Sequence, residues 1–197
     1  MPAGRHRTFD EKQALEAAMR VFWQKGYAGA SLTDLTHAMG INKPSMYAAF
    51  GNKEQLFIAS LQNYLNAYAS SHVDCLKQDN QTFRARLRGY LMSIIHGQCG
   101  ATAPKGCFIS VSISESISDD FPAAAKAQID AMKLVGEGVL LDFFSAAQSN
   151  GELADDHDVS ALTQYFMGVM HGTAALARAG KSTQQLTTVV ETSLKVL

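Results

Sequence analysis

Between residues 8 and 57 the chain carries start and stop signals for four helices in close succession. The segment "TFDEKQALEAAMRVFWQKGY" sets Leu15, Ala18, Met19, Phe22 and Trp23 on one stripe at i, i+3, i+4 spacing. Thr8 and Glu11 have the spacing of a capping box, and Gly26 supplies the stop. Ser31 is a good N-cap for a second helix, with Asp34 in the first turn, where the helix dipole favours negative charge. Leu32, Leu35 and Met39 turn inward on it, and Gly40 ends it. Asn42 caps a short third helix whose first turn holds Pro44, a place where the missing N–H costs nothing. "GNKEQ" breaks the chain again, and Asn52 caps a fourth helix through Leu56, Phe57, Leu61, Tyr64 and Leu65. Proline here begins a helix and fixes the angle at which the chain enters it.

The remainder also reads as helical. "FRARLRGYLMSIIHGQC" is amphipathic, "GATAPKG" is a loop, and "DDFPAAAKAQIDAMKLVGEGVLLDFFSAAQSNG" is a long helix closed by Asn150-Gly151. "CFISVSISESIS" alternates with the period of a strand, but the chain offers it no partner strand, so a short buried helix is expected. "DHDVSALTQYFMGVMHGTAALARAG" and "STQQLTTVVETSLKVL" supply the last two helices. The expected fold is all-α, in two parts that share the fourth helix: residues 1–54 and residues 55–197.

Composition narrows the class. At 47% hydrophobic and 18% charged, 197 residues can bury a proper core, which excludes a disordered chain. No apolar run approaches the roughly 18 residues that cross a bilayer, and "MPAGRHRTFDEKQ" lacks the apolar core of a signal peptide. A cytoplasmic protein with no membrane partner is expected. Three cysteines argue against a disulfide framework. Residues 1–53 hold seven Lys/Arg against four acids, whereas the rest holds ten against fourteen, so a polyanionic partner suits the first part only.

The second and third helices, joined by "MGIN", have the grammar of a helix-turn-helix. In that motif the second helix enters the DNA major groove. Ser31, Thr33 and Lys53 stand at helix starts, where N–H groups and charge suit a phosphate, and Tyr47 can offer its hydroxyl to another. Lys43 and Ser45 are candidates for reading base edges, Ala49 for touching a thymine methyl, and Arg5 and Arg7 for the backbone or a minor groove.

From about Ala14 to Phe57 the chain resembles the TetR family of bacterial transcriptional regulators almost end to end. The resemblance implies a helical homodimer with three-helix DNA-binding heads and a variable helical body that binds a small molecule. It places phosphate contacts on Tyr47 and Lys53 and base reading on Lys43, Ser45 and Ala49, and it makes repression the expected mode. The short basic arm and the pair Ala48-Ala49 depart from a strongly hydrogen-bonding reader, so operator choice is expected to lean partly on DNA shape. The body matches the family only in helix count and in its "KGCFI" segment.

Apolar residues of the body exceed what a thin helical layer must bury. Met92, Ile95, Cys107, Phe108, Val111, Phe121, Phe143, Phe144, Phe166, Met167 and Met170 are the candidate apolar lining of an effector pocket, with His96, Ser110, Ser112, Glu115, Tyr165 and His171 as the polar groups that could point inward. Cys107, with Lys105 close in sequence, also suits a thiol that reacts with electrophiles. His96, Cys99 and Cys107 do not have a zinc spacing, and neither a metal nor a cofactor is expected. Leu162, Phe166, Val169, Met170, Thr173, Ala174, Ala177, Leu186, Val189, Val190 and Leu194 suggest a four-helix bundle between two copies, with Gly168, Gly172 and Ala175 permitting close crossing. A rival reading is a helical enzyme or binding protein without DNA, but no HExxH, Walker or GxSxG motif is present to support catalysis.

Overall fold

A computed structural model describes residues 9–197, and within them the chain is helical throughout, with no strand. The first helix, α1 (Glu11–Gly29), is broken at Gly26, whose φ of 71° and ψ of 178° turn the last residues aside. Its N-cap is Asp10, whose carboxylate accepts from the Lys12 and Gln13 N–H groups. The expected cap, Thr8, lies outside the described residues, as do Arg5 and Arg7. Two short helices follow, α2 (Leu32–Met39) and α3 (Lys43–Phe50), and then α4 (Lys53–Tyr64). Each begins on the side-chain cap its sequence offers: Ser31, Asn42 and Asn52.

After Tyr64 the helical hydrogen bonding loosens. Residues Leu65–Ala69 form a π-helical turn and Ser70–Lys77 a 3-10 stretch, which leads to α5 (Phe83–Cys99). The expected helix at 107–118 is present as α6 (Phe108–Glu115). Its alternating serines fit a helix because Ser112, Ser114 and Ser116 turn their hydroxyls back on carbonyls three or four residues earlier. The long α7 (Ala123–Ser149) starts after Pro122 rather than at Asp119, since the residue before a proline resists the helical conformation. The body closes with α8 (Val159–Arg178) and α9 (Thr183–Ser193).

Two hydrophobic cores result. One lies between α5, α8, α9 and the second half of α7, around Leu87, Ile95, Phe144, Phe166 and Val190. The other holds Met19, Phe22, Leu35, Met46 and Phe57 of the first four helices together with Phe108 of α6 and Ile129 and Met132 of α7. The second core therefore crosses residue 54.

The expected dimer face needs correction. Leu162, Phe166, Thr173, Ala174 and Ala177, and likewise Leu186, Val190 and Leu194, are buried within the protomer. Burial by period alone does not say which neighbour covers a face. The outward side of α8 carries Tyr165 and Leu176 together with the expected crossing residues Gly168, Gly172 and Ala175, and Val169 is half-buried beside them.

Candidate nucleic-acid interface and effector cavity

The turn between α2 and α3 is held by short-range hydrogen bonds. Gly40 adopts the left-handed conformation at φ 67°, which lets its N–H reach the His37 and Thr36 carbonyls. The Ile41 N–H also reaches the Thr36 carbonyl, and the Asn42 side chain accepts from the Ser45 N–H at 2.8 Å. Met46 plugs the inner side of α3 completely. With that side fixed, Lys43, Pro44, Tyr47, Ala48 and Ala49 stand on the open side, and Tyr47 keeps 47% of its surface exposed. Ser45 is half-buried at the edge.

At the start of α2 the structure alters one expected role. The Ser31 N–H and hydroxyl both donate to the Asp34 carboxylate, and Ser31 Oγ accepts the Asp34 N–H. The donors of Ser31 are thus engaged in its own cap, and the exposed Thr33 hydroxyl has no partner among the described residues. Lys25 adds an ion pair to Asp34 at 2.7 Å. The Lys25 ammonium and then the Ser31 donors hold the Asp34 carboxyl down at about 2, from 3.8. The folded state therefore binds this proton less readily than the unfolded chain. The stabilisation by Asp34 is complete above about pH 4, declines as pH falls, and is gone below about pH 2. Melting temperatures followed from pH 5 to pH 2 should accordingly fall less steeply for Asp34→Asn than for the parent.

Lys53 opens α4 with its ammonium 4.5 Å from the centre of the Tyr27 ring, partly buried. Burial pulls its pKa down, opposed by the Glu115 carboxylate. The same Glu115 accepts the Tyr27 N–H at 2.6 Å. On another side of α1, Arg178 donates to the Trp23 and Gln24 carbonyls at 2.8 and 3.2 Å. The body thus grips the C-terminal end of α1 twice, from α6 and from α8.

Below that grip lies a cavity of about 640 Å³, bounded by the irregular segment after α4 and by α5 to α8. Trp23, Tyr64 and Tyr68 form an aromatic wall, with the two tyrosines stacked at 5.6 Å and the indole edge-on to both. Tyr68 continues the wall toward α1 by donating to Glu16 at 2.7 Å and accepting from Arg20. Burial raises the Tyr64 phenol well above its ordinary value, with the Cys107 thiol adding to the rise, and pushes Tyr90 up to about 12, so both stay protonated. Burial lowers His72 and His171, leaving neutral rings paired with Ser93 and Ser110.

Of the expected pocket residues, Cys107, Ser110, Met167, Met170 and His171 line this space. Ile95, Phe144 and Phe166 belong to the core of the body, Phe108 to the core shared with the first helices, and Met92 packs against the former. Val111 is half-buried elsewhere on α6, and His96 is exposed in the last turn of α5. The hydrophobic pattern could not separate these from Trp23, Tyr64 or Tyr68, because core and cavity lining are apolar alike. Among the described residues no group of three His, Cys, Asp or Glu converges as a metal site.

A helix-turn-helix with a bared second helix, carried on a helical body that holds its own cavity, defines the one-component class of DNA-binding regulators. Residues 14–60 match the model of the bacterial regulatory proteins of the tetR family, and residues 84–193 match the tetracyclin repressor-like C-terminal domain. The chain belongs to the TetR family of bacterial transcriptional regulators. It is 32% identical over 193 residues to the HTH-type transcriptional repressor ComR of Escherichia coli (strain K12), covering 98% of this chain and 91% of that one. It is 29% identical over 187 residues to the repressor BdcR of the same organism, covering 93% and 86%. Its fold superposes with a TM-score of 0.89 at 31% identity, over 98% of both chains, on the TetR family regulator CifR. That structure is of a cysteine mutant of CifR complexed with 26-bp double-strand operator DNA.

Proposed function

We propose that this regulator is a homodimeric repressor that leaves a palindromic operator when a small molecule fills the cavity. The observation that carries the DNA half is the bared face of α3, with Lys43 and Tyr47 outward over a fully buried Met46. Relatives named as repressors and a neighbour bound to operator DNA support the same reading. In it, Tyr47, Lys53 and Thr33 hold phosphates while Lys43, Ser45 and Ala49 face base edges. The outward stripe of α8 supplies a self-complementary face for pairing two copies, which sets two heads about 34 Å apart on successive major grooves. Repression needs no catalytic step and acts in the cytoplasm, where the DNA lies. Among the described residues no helix is long and apolar enough to cross a membrane.

The release half rests on the aromatic wall. A ligand pressing on Trp23 presses on α1, and α1 is held by Glu115 and Arg178. Coupling of about 1–3 kcal/mol between cavity and operator, usual for allostery, would change affinity about 5–150-fold. A second reading is covalent capture of an electrophile at Cys107, which lines the cavity and whose sulfur accepts from the Tyr64 hydroxyl at 3.3 Å. Mass spectrometry of operator-released protein separates the two, because only the second leaves an adduct on Cys107.

Selection of bound duplexes from a random pool is the direct test, and failure to enrich any sequence would end the proposal. With a selected duplex in hand, Tyr47→Ala should weaken operator and random DNA alike. Lys43→Ala should cost about 1–3 kcal/mol on the operator and mainly relax the preference at one base pair. Fluorescence anisotropy on matched and mismatched duplexes reads both, and equal losses for Lys43→Ala on all sequences would remove its base-reading role.

A further inference from the structure

The cavity carries charge of one sign only. Lys77 and Lys133 line it, and among the described residues no Asp or Glu does. The two lysines are not equivalent. Lys77 ends the 3-10 stretch with 69% of its side chain exposed, beside Asp74 at 3.3 Å. Lys133 is less exposed, and the packing of α7 on α8 brings it to a second polar group. These helices, joined by the loop 150–158, lie antiparallel, and a methyl group built on Gly136 would touch Met167 Cε at 3.7 Å. One turn before Gly136 comes Lys133, and one turn beyond Met167 comes His171, so the two share one level of the wall. The Lys133 charge accordingly adds to the burial that lowers the His171 ring. Ser110 of α6 pairs with Nδ1 of that ring at 2.8 Å. When Ser110 donates there, the ring proton sits on Nε2, which has no partner among the described residues and keeps accessible surface. The nearest acids, Asp130 and Glu137, also stand on α7 but outside the lining. Asp130 meets the Lys133 ammonium only at 3.4 Å, with both side chains well exposed, a pairing that holds the lysine weakly.

We propose that the cavity takes an amphipathic carboxylic acid in its ionised form, the carboxylate held by the Lys133 ammonium and the His171 Nε2–H and the apolar tail lying toward Trp23 and Tyr64. One ammonium and one neutral N–H suit a single negative charge spread over two oxygens. Lys133 keeps 40% of its side chain exposed, so the head stays at the rim and the acid enters tail first. Ile113, Met132 and Val139 line the space with the aromatic wall and give the tail an apolar bed. That such an acid is the effector rests on the reading of the cavity as the effector site.

Four probes on one frame test the assignment by calorimetry on the full chain: 4-phenylbutanoate, 4-phenylbutanamide, methyl 4-phenylbutanoate and 4-phenylbutylamine. The carboxylate should bind about tenfold tighter than the amide or the ester, and the amine should bind weakest. Raising sodium chloride from about 0.05 M to about 0.5 M should shrink that advantage and leave the amide unchanged, because the head lies at the rim. Lys133→Met should bring the carboxylate down to the level of the amide, whose own unchanged affinity shows that the cavity is intact. Lys133→Arg should keep most of the preference, and Lys77→Met should change it by less than about twofold. Amide or ester binding as tightly as the carboxylate, a Lys133→Met protein that keeps the preference, its loss in Lys77→Met instead, or no binding of any probe would overturn the proposal. If Lys133→Met does not fold, the salt dependence and Lys133→Arg decide. Carboxylate that binds through Lys133 yet leaves a selected duplex in place refutes the effector reading only. Carboxylate that binds no tighter than the amide, with both releasing the duplex, refutes the carboxylate assignment only.

Discussion

Replacing Phe57 with alanine should lower the unfolding free energy by about 3–5 kcal/mol, the range for losing a fully buried aromatic ring. The ring is completely buried and meets four others at 5.0 to 6.0 Å between centres: Phe22 and Tyr27 of α1, Phe108 of α6, and Phe121 before α7. Three of these contacts are near-perpendicular edge arrangements and the fourth is inclined at 71°, geometries that the ring quadrupole favours. Deletion leaves a void that rigid neighbouring helices cannot readily close. Equilibrium denaturation measures the loss. A cost below about 1.5 kcal/mol would mean that the rings relax into the space and do not form a rigid junction.

Gly26→Ala should be nearly as damaging, for a different reason. At φ 71° and ψ 178° the backbone occupies a region that only glycine visits freely, and forcing another residue there costs about 1–3 kcal/mol. A methyl group built on Gly26 would also lie 2.1 Å from Glu115 Oε1, so the carboxylate would have to leave the Tyr27 N–H. The double variant Gly26→Ala/Glu115→Ala should recover the steric part of the loss and retain the backbone part. Denaturant midpoints of the two single variants and the double variant make that separation, and full recovery in the double would show that the backbone strain is negligible. The same substitutions should also blunt the response of operator binding to effector, since they cut the link from α6 to α1.

Much of the first fifty-seven residues was legible because their structure is written locally. Ser31, Asn42 and Asn52 cap helices through bonds to N–H groups three residues on, and Gly40 and Pro44 act through their own backbone. Such signals need no knowledge of the rest of the chain. The Thr8–Glu11 spacing points to a cap that the structure places on Asp10. The cavity was far less legible. Trp23 reads as core and is buried in the core, yet its second place on the cavity wall is invisible to periodicity, which reports that a face is covered without saying by what; the same limit misplaces Ile95, Phe144 and Phe166. The irregular stretch after Tyr64 carries neither Gly nor Pro to announce it. Distant partners hold it, among them Ser93 bonded to His72 and Glu16 bonded to Tyr68.

The aromatic junction around Phe57 and Phe108 has a consequence for how such proteins diversify. Phe22 and Tyr27 on one side of position 54 pack ring against ring on Phe57 and Phe121 on the other, so an N-terminal unit exchanged with a relative by fusion at that point would land on a surface shaped for different side chains. Such a chain is therefore changed with less damage by substitution on the outer face of α3, which leaves this junction in place, than by exchange of its whole N-terminal unit.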